Sequence, residues 1–292
     1  MSLSLLPRRS ARTLYDGVCE SMSALVVRRY STSFGLASRL FAQPVRTHVR
    51  NIYALVRIAD EIVDSPEPAL RNGSRGRMLT WLQQEVHHAL RDGYSANPVV
   101  HAFARTARAA GIGAELVDPF FASMRMDLET TAHTPESLER YVYGSAEVVG
   151  LMCLRVFVAD TADRAVAYHR LAPGARRLGA AFQKVNFLRD LADDHDTLGR
   201  SYFPGLDVAH FCDADRDRIL DDIQADLDAA AVAIKALPSS SRRAVKVAHA
   251  AFAELAARLR ATPAAEIRRT RVRVPDPVKL RLAAGVLAGS HG

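Results

Sequence analysis

Residues 51–64 read NIYALVRIADEIVD, and the spacing of their apolar side chains decides the fold class. Ile52, Leu55, Ile58 (or Ala59) and Ile62 recur at steps of three or four residues, which puts them on one face of an α-helix. The same periodicity predicts helices over residues 79–90, 99–110, 115–128, 174–191, 217–237 and 239–259. The sequence therefore predicts an all-α protein.

The chain has 292 residues and contains no Gly/Ser tract, Pro-rich run or block of one charge that would mark a linker. The alternation typical of a strand is tidy only in the short run 270–274. We therefore expect residues 1–292 to form a single helical domain, which is large enough to bury a sizeable core or cavity.

The charge composition is rich in arginine. The net charge is +7, and only four of the 39 basic residues are lysines. Such a composition is compatible with binding to nucleic acid, to an anionic membrane surface or to an anionic substrate, and it does not distinguish among these three.

Cysteine usage and the N-terminus favour a cytoplasmic protein. Cys19, Cys153 and Cys212 are far apart and form no metal-type pair, which is typical of a reducing compartment. Arg8 and Arg9 are not followed by the apolar stretch of a secretory signal. No run approaches the roughly 18 apolar residues that a membrane span needs. We expect a protein that is soluble or rests on the inner face of the membrane, and the sequence sets no oligomeric state.

Two acidic clusters, DEIVD at 60–64 and DLADD at 190–194, follow apolar residues. In each cluster two aspartates are four residues apart and so share a helix face, where like charges destabilise a helix by about 0.2–0.5 kcal/mol. A solvated face is the ordinary explanation of one such pair, but buried carboxylates need a counter-charge. Mg²⁺, with Mn²⁺ as the alternative, prefers carboxylate and phosphate oxygens, so two facing clusters would hold a diphosphate. The candidate metal ligands are Asp60, Glu61, Asp64, Asp190, Asp193 and Asp194.

Basic and amide side chains accompany both clusters. Arg57 lies one turn before Asp60, and Asn186 and Gln183 lie one and two turns before Asp190. Arginine forms bidentate contacts with phosphate, although an ion pair with a nearby carboxylate is an equally ordinary role. The further candidates for phosphate binding are Arg189, Arg200 and Tyr202.

Five segments resemble the squalene/phytoene synthase family in sequence and in order. They are YSTSF at 30–34, YALVRIADEIVD at 53–64, YVYGSAEVVG at 141–150, QKVNFLRDLADD at 183–194 and GRSYFP at 199–204. The similarity covers about residues 30–274 and is greatest to bacterial phytoene synthases of the actinobacterial type. A single segment would be weak evidence, whereas several in order are specific.

The resemblance implies an isoprenoid synthase bundle of helices with a central apolar channel. The residues that match the family's catalytic positions are Asp60, Asp64, Asp190 and Asp194, which would bind Mg²⁺ and diphosphate, and Tyr141 and Tyr143, which are candidates for the proton steps. Those that match substrate-binding positions are Ser31, Ser33, Phe34, Arg57, Gln183, Asn186, Arg189, Arg200 and Tyr202. Phe34, Phe182 and Phe187 are candidates for the channel wall. Two residues depart from the family pattern: Glu61 stands where Asp is common, and Glu147 stands where Gly is usual, which affects the predicted shape of the channel.

The implied reaction is the head-to-head condensation of two geranylgeranyl diphosphates, through prephytoene diphosphate, to phytoene. This is the first committed step of carotenoid biosynthesis, and it is expected to need no NADPH. The alternative within the family is a squalene or dehydrosqualene synthase that acts on farnesyl diphosphate, of which squalene formation needs NADPH. The chain has no Gly-x-Gly-x-x-Gly turn after a strand, but a helical enzyme could bind NADPH in another way.

Two alternatives lie outside catalysis. A basic helical protein could bind nucleic acid through Arg268, Arg269, Arg271 and Arg273. It would leave the paired aspartates unexplained, so we expect no nucleic acid partner and place these arginines near the diphosphates or at an anionic membrane surface. An inactive partner subunit is the other alternative, and the complete set of motif aspartates speaks against it.

Overall fold

Helices make up nearly all of the regular structure in a computed structural model of the chain, which describes residues 13–31, 33–65 and 72–289. The α-helices of these ranges are α1 (Leu14–Tyr30), α2 (Ser33–Ser38), α3 (Val45–Asp64), α4 (Asn72–Asp92), α5 (Pro98–Ala110), α6 (Ala114–Glu129), α7 (Pro135–Val142), α8 (Val148–Phe157), α9 (Arg164–Arg189), α10 (Leu191–Leu198), α11 (Asp213–Lys235), α12 (Ser239–Ala261), α13 (Ala264–Ile267) and α14 (Asp276–Ala288). A π-helical turn (Tyr143–Glu147) joins α7 to α8, and a 3₁₀ turn (Val208–His210) precedes α11. The all-α prediction is confirmed.

Local sequence explains where several helices begin. The hydroxyl of Thr134 accepts a hydrogen bond from the backbone N–H of Ser137 at 3.2 Å, and Pro135 occupies the first turn of α7. Asn97 caps α5 in the same way. Pro238 separates α11 from α12, because proline cannot continue a helix.

Two apolar cores hold the bundle together. The first is formed mainly by α3, α4, α5, α6 and α8, and the second mainly by α9, α11 and α12. Helix α9 contributes to both, because it packs against α8 and against α11. The C-terminal ends of α3 and α9 bring the two acidic clusters to the region between the cores.

The π-helical turn is fixed by two glycines at close helix crossings. A Cβ atom added to Gly144 would lie 2.1 Å from the carbonyl oxygen of Pro119 in α6. A Cβ atom on Gly179 of α9 would lie 2.5 Å from the carbonyl oxygen of Ala146. Only glycine allows the backbones to approach this closely, so the turn is packed tightly against both helices.

One helix boundary differs from the prediction. The periodicity predicts a continuous helix over 174–191, whereas α9 ends at Arg189 and Asp190 links it to α10 with φ −99° and ψ 11°. Aspartate is a poor residue for helix interiors, and the carboxylate of Asp190 is held by arginines instead of facing solvent. The backbone N–H of Asp194 still donates to the carbonyl of Asp190 at 2.9 Å, so the two aspartates stay one turn apart.

No helix in the described ranges combines the length and the apolar character needed to cross a membrane.

Candidate active site

The first acidic cluster lies in the last turn of α3. Burial, together with the negative charge of Asp64, raises the pKa of Asp60 to about 7. Glu61 is engaged by Arg57, whose Nη2 lies 2.7 Å from its carboxylate. The guanidinium of Arg57 also lies 4.5 Å from the ring centroid of Tyr30. Asp60 therefore faces the interior, while Glu61 serves as the ion-pair partner of an arginine.

The second acidic cluster lies at the junction of α9 and α10. The Asp190 carboxylate accepts hydrogen bonds from Arg189, whose Nε lies at 2.9 Å, and forms an ion pair with Arg271, whose Nε lies at 2.8 Å. Burial and the neighbouring Asp190 raise the pKa of Asp194 to about 7. Asp193 is exposed on the outer side of the turn. Of this cluster, Asp190 and Asp194 therefore face the site.

Arg200 joins the two clusters and is almost completely buried. Its Nη1 donates to Asp64 at 2.7 Å and lies 3.8 Å from the carboxylate of Asp127. Its backbone N–H donates to the carbonyl of Asp194 at 2.9 Å. Arg200 thus links carboxylates of α3 and α6 through its guanidinium, and it is bonded through its backbone to the turn that carries the second cluster.

Asp127, near the end of α6, accepts hydrogen bonds from two tyrosines. The hydroxyl of Tyr141 donates to one carboxylate oxygen at 2.8 Å, and the hydroxyl of Tyr202 donates to the other at 3.0 Å. Burial raises the pKa of Asp127 to about 6, and the positive charge of Arg200 limits the rise. Burial and the charge of Asp127 also raise the pKa of Tyr141, so this hydroxyl keeps its proton.

Aromatic rings support these two tyrosines. The ring of Phe187 stacks on Tyr202 with centroids 4.0 Å apart and planes inclined by 9°. His133 packs on the same pair, with its centroid 5.7 Å from Tyr202 and 5.1 Å from Tyr141. Such stacking restricts the rings to one orientation and therefore fixes where their hydroxyls point.

Tyr143 begins the π-helical turn, whereas Tyr141 lies in α7. Arg176 of α9 lies 5.2 Å from its ring centroid and forms an ion pair with Glu147, at 2.5 Å. The predicted departure at Glu147 therefore has a counterpart in Arg176. Of the two candidate tyrosines, Tyr141 is the one hydrogen-bonded to an aspartate.

The remaining predicted residues are distributed around the site. Gln183 and Asn186 are half-buried on α9, on the approach to Asp190. Ser31 ends α1 and interacts with the side chain of Tyr53 on α3. The side chains of Ser33 and Phe34 lie outside the described part of the chain. Another predicted wall residue, Phe182, stacks on Phe252 with centroids 3.8 Å apart.

Five aspartates, namely Asp60, Asp64, Asp127, Asp190 and Asp194, together form the acidic site. No three His, Cys, Asp or Glu side chains of the described ranges form a ready-made metal-binding group. Mg²⁺ usually takes one or two carboxylates and completes its shell with water and phosphate oxygens. Burial raises the pKa of both Asp60 and Asp194, and the neighbouring carboxylates Asp64 and Asp190 raise it further. A set of close, partly buried carboxylate oxygens is the kind of donor that a divalent cation takes, so the residues fit such an ion. Magnesium binding at this site stays a prediction.

Asp127 escapes motif-based reasoning, and the sequence predicts Arg271 near the diphosphates or at a membrane surface without naming a partner for it. Asp127 is a single carboxylate, and its only sequence signal is its position among the apolar residues Met124, Met126 and Leu128 of a predicted helix. Arg271 belongs to a basic segment whose place in the fold depends on long-range packing, so its pairing with Asp190 has no local signal. Arg268 of the same segment also reaches a carboxylate near the second cluster.

The comparisons with known proteins agree with the fold and with the motifs. The sequence model of the squalene/phytoene synthase family matches residues 27–277. The 15-cis-phytoene synthase of Pantoea ananas is 30% identical over 191 residues, which cover 62% of this chain and 58% of that protein. Phytoene synthase 3 of Zea mays is 33% identical over 65% of this chain and 44% of its own length. The presqualene diphosphate synthase of Rhodopseudomonas palustris is 29% identical over 59% of this chain and 58% of its own length.

Solved structures match over more of the chain. A dehydrosqualene synthase superposes with a TM-score of 0.77 at 18% identity, covering 94% of this chain and 97% of its own. A squalene synthase of Alicyclobacillus acidocaldarius superposes with a TM-score of 0.72 at 20% identity, covering 85% and 95%. The predicted isoprenoid synthase bundle is therefore confirmed, while the sequence matches span about half the length of the curated relatives.

Proposed function

We propose that this chain, which belongs to the squalene/phytoene synthase family of prenyltransferase-type enzymes, joins two geranylgeranyl diphosphates head to head to give phytoene. The observation that carries the proposal is the acidic site, where the guanidinium of Arg200 pairs with Asp64 of α3 and lies near the buried Asp127 of α6, and the Arg200 backbone is bonded to the turn that carries Asp194. Relatives named phytoene synthase, at about 30% identity, support the choice of substrate. The reaction releases two diphosphates, each with its electron pair, and two protons.

The first task of the site is to hold a diphosphate and stabilise it as it leaves. Arg57, Arg189 and Arg271 are paired with Glu61 or Asp190, so their guanidiniums lie beside the two acidic clusters. Asp60, Asp64, Asp190 and Asp194 would hold Mg²⁺, which supplies charge stabilisation for the leaving diphosphate. The arginines form bidentate hydrogen bonds to phosphate oxygens and orient the substrate.

The second task is to accept protons from the carbon skeleton. Tyr141 is the tyrosine that we assign to this task, because its hydroxyl donates to Asp127 at 2.8 Å. When the Tyr141 hydroxyl passes its own proton to the Asp127 carboxylate, the tyrosine oxygen can accept a proton from the carbon skeleton. With a pKa of about 6, Asp127 can take up a proton near neutral pH, which makes it a suitable terminus for this transfer.

The third task is to exclude water from cationic carbon. Phe187 stacks on Tyr202 beside the acidic site, and Phe203 packs against Phe187 with centroids 6.2 Å apart. These rings offer an apolar surface that does not react with a carbocation. The apolar channel beyond them stays a prediction.

A turnover assay tests the proposal. The purified chain with Mg²⁺ is offered geranylgeranyl and farnesyl diphosphate separately, each with and without NADPH. We expect phytoene from geranylgeranyl diphosphate without NADPH. Asp60→Asn should abolish turnover with helical circular dichroism intact, while the exposed Asp228→Asn serves as the matched control. Retained activity in Asp60→Asn would contradict the assigned site.

The second candidate function uses the shorter substrate. The relative from Rhodopseudomonas palustris, which is named a presqualene diphosphate synthase, favours it at 29% identity. A product from farnesyl diphosphate alone would move this chain to that branch with the same acidic site. If neither substrate gives a product in folded protein, a non-catalytic partner subunit becomes the better explanation.

We also propose that the chain is cytoplasmic and associates with the membrane surface. Helix α1 supports this, since Leu14, Val18, Met22 and Leu25 are exposed along its outer face. Exposed apolar side chains that form a contiguous patch ordinarily mark a surface that a partner or a membrane covers. Co-sedimentation with lipid vesicles tests this, and Met22→Glu should reduce it. Equal binding of this variant and the unchanged chain would contradict the assignment to α1.

A further inference from the structure

Three arginines cluster near the N-terminal end of α3, away from the acidic site. Arg46 and Arg50 are one turn apart on α3 and so share a face, and Arg39 follows α2. Helix α3 has 20 residues, and Arg46 and Asp60 lie about 20 Å apart along its axis. This arginine cluster (Arg39, Arg46 and Arg50) is therefore separate from the diphosphate region.

The cluster lacks anionic partners within the described ranges. The Nε of Arg46 donates to the backbone carbonyl of Phe41 at 3.0 Å, which is a neutral acceptor. The Nε of Arg50 is buried and has no hydrogen-bond partner. The half-buried Arg57 and the buried Arg216 have carboxylate partners, and the half-buried Arg125 and Arg155 are engaged by the side chains of Gln83 and Tyr168. Arg46 and Arg50 differ from Arg57 and Arg216 in combining partial burial with the absence of a counter-charge.

The three charges also act on one another. Burial lowers the pKa of Arg50, and the charges of Arg46 and Arg39 lower it further. Like charges held this close oppose folding, and a guanidinium without a partner loses hydrogen bonds that water would have provided. A bound anion would remove both penalties, and the positive end of the α3 dipole would favour it as well.

We propose that the arginine cluster is a second anion site, which binds a phosphate group. Phosphate offers several acceptor oxygens around a multiple negative charge, and the forked guanidinium group matches these oxygens in pairs. Phosphate chemistry can come from a free phosphate in solution or from the headgroup of an anionic lipid. The proposal does not depend on the reaction catalysed at the acidic site.

Titration calorimetry with inorganic phosphate is the first test. Arg50→Gln and Arg39→Gln each remove one charge from the cluster, and Arg170→Gln removes one from an exposed position on α9 as the matched control. We expect each cluster variant to weaken the binding of phosphate about tenfold, and the control to leave it unchanged. The acidic site is the same in all variants, so any phosphate bound there cancels in the comparison.

Vesicles distinguish the two sources. If the cluster variants change phosphate binding, the site takes free phosphate. If they change only co-sedimentation with phosphatidylglycerol vesicles, compared with phosphatidylcholine vesicles, the site takes a lipid headgroup. If they match Arg170→Gln in both measurements, the proposal is overturned.

Two further readouts separate this proposal from the proposed function and from misfolding. In phosphate-free buffer, Arg50→Gln should melt at a higher temperature than the unchanged chain, because it removes the repulsion between Arg50 and the other two arginines. Added phosphate should reduce this difference in melting temperature. A lower melting temperature would contradict the electrostatic account. Turnover in the same buffer should be unchanged by Arg50→Gln, so failure of the turnover assay and failure of phosphate binding are distinguishable.

Discussion

Replacing Asp127 by asparagine removes a buried negative charge and keeps the shape of the side chain. In the folded protein this carboxyl group has a pKa of about 6, raised from 3.8 mainly by burial, although Arg200 and two tyrosine hydroxyls favour its charged form. Asp60, Asp64 and Asp194 add negative charge around it, and His133 is stacked on the tyrosines that bind it. The surroundings of Asp127 in the folded protein therefore disfavour its ionised form.

The raised pKa has a defined sign for stability. The folded state binds the proton of Asp127 more tightly than the unfolded state does. The stability that this carboxyl group contributes is therefore fully present below pH 3.8 and is lost as pH rises towards 6. A difference of about two pH units between the folded and unfolded pKa corresponds to about 3 kcal/mol. Asp127→Asn does not ionise, so above pH 6 it should be more stable than the unchanged chain by about 1–3 kcal/mol, the lower figure allowing for weaker bonds to Tyr141 and Tyr202.

Activity should move in the opposite direction. An amide cannot take up the proton that Tyr141 passes on, so we expect kcat to fall about 100-fold or more. Urea unfolding at pH 4 and pH 8 measures the stability, and extraction of the prenyl product measures turnover. The reasoning is refuted if Asp127→Asn is the less stable protein at pH 8, or if it turns over at the normal rate. Asp228→Asn, on an exposed position of α11, controls for the substitution itself.

Three further predictions concern the same region. Asp190→Asn should abolish turnover with unchanged circular dichroism, and retained activity would contradict the assignment of the second acidic cluster to the active site. Arg271→Gln should raise KM about tenfold with a smaller effect on kcat, because it removes one diphosphate contact; an unchanged KM would place this residue outside the substrate site. Gly144→Ala should lower the free energy of unfolding by about 1–3 kcal/mol, because its Cβ would meet the Pro119 carbonyl at 2.1 Å. Thermal melting checks this, and normal stability would mean that α6 can move aside.

The helices could be predicted because their apolar periodicity is long and regular. The prediction for residues 99–110 corresponds to α5 (Pro98–Ala110), and that for 115–128 corresponds to α6 (Ala114–Glu129). The break at Asp190 could not be predicted from periodicity, since the apolar pattern of α9 continues through it. The carboxylate there is held by Arg271, which comes from a segment far along the chain.

The candidate site could be predicted where side chains of one chemistry occur close together in the sequence. Asp60 and Asp64, or Asp190 and Asp194, are recognisable as pairs because four residues separate them on a helix. Asp127 has no such neighbour, and its significance depends on tyrosines and an arginine from other elements. The role of a single charged residue in an apolar helix can therefore be interpreted only when the fold is known.

The charge balance of the acidic site connects its structure to its proposed chemistry. Asp60 and Asp194 have raised pKa values although Arg57, Arg189 and Arg200 lie close by, so burial and repulsion together outweigh the local positive charge. A site arranged only for stability would replace one of these aspartates by a neutral side chain. Keeping the excess of negative charge destabilises the protein alone. Under the proposed function, binding of cations together with a diphosphate would offset this cost, because the cations would neutralise both the aspartates and the diphosphate.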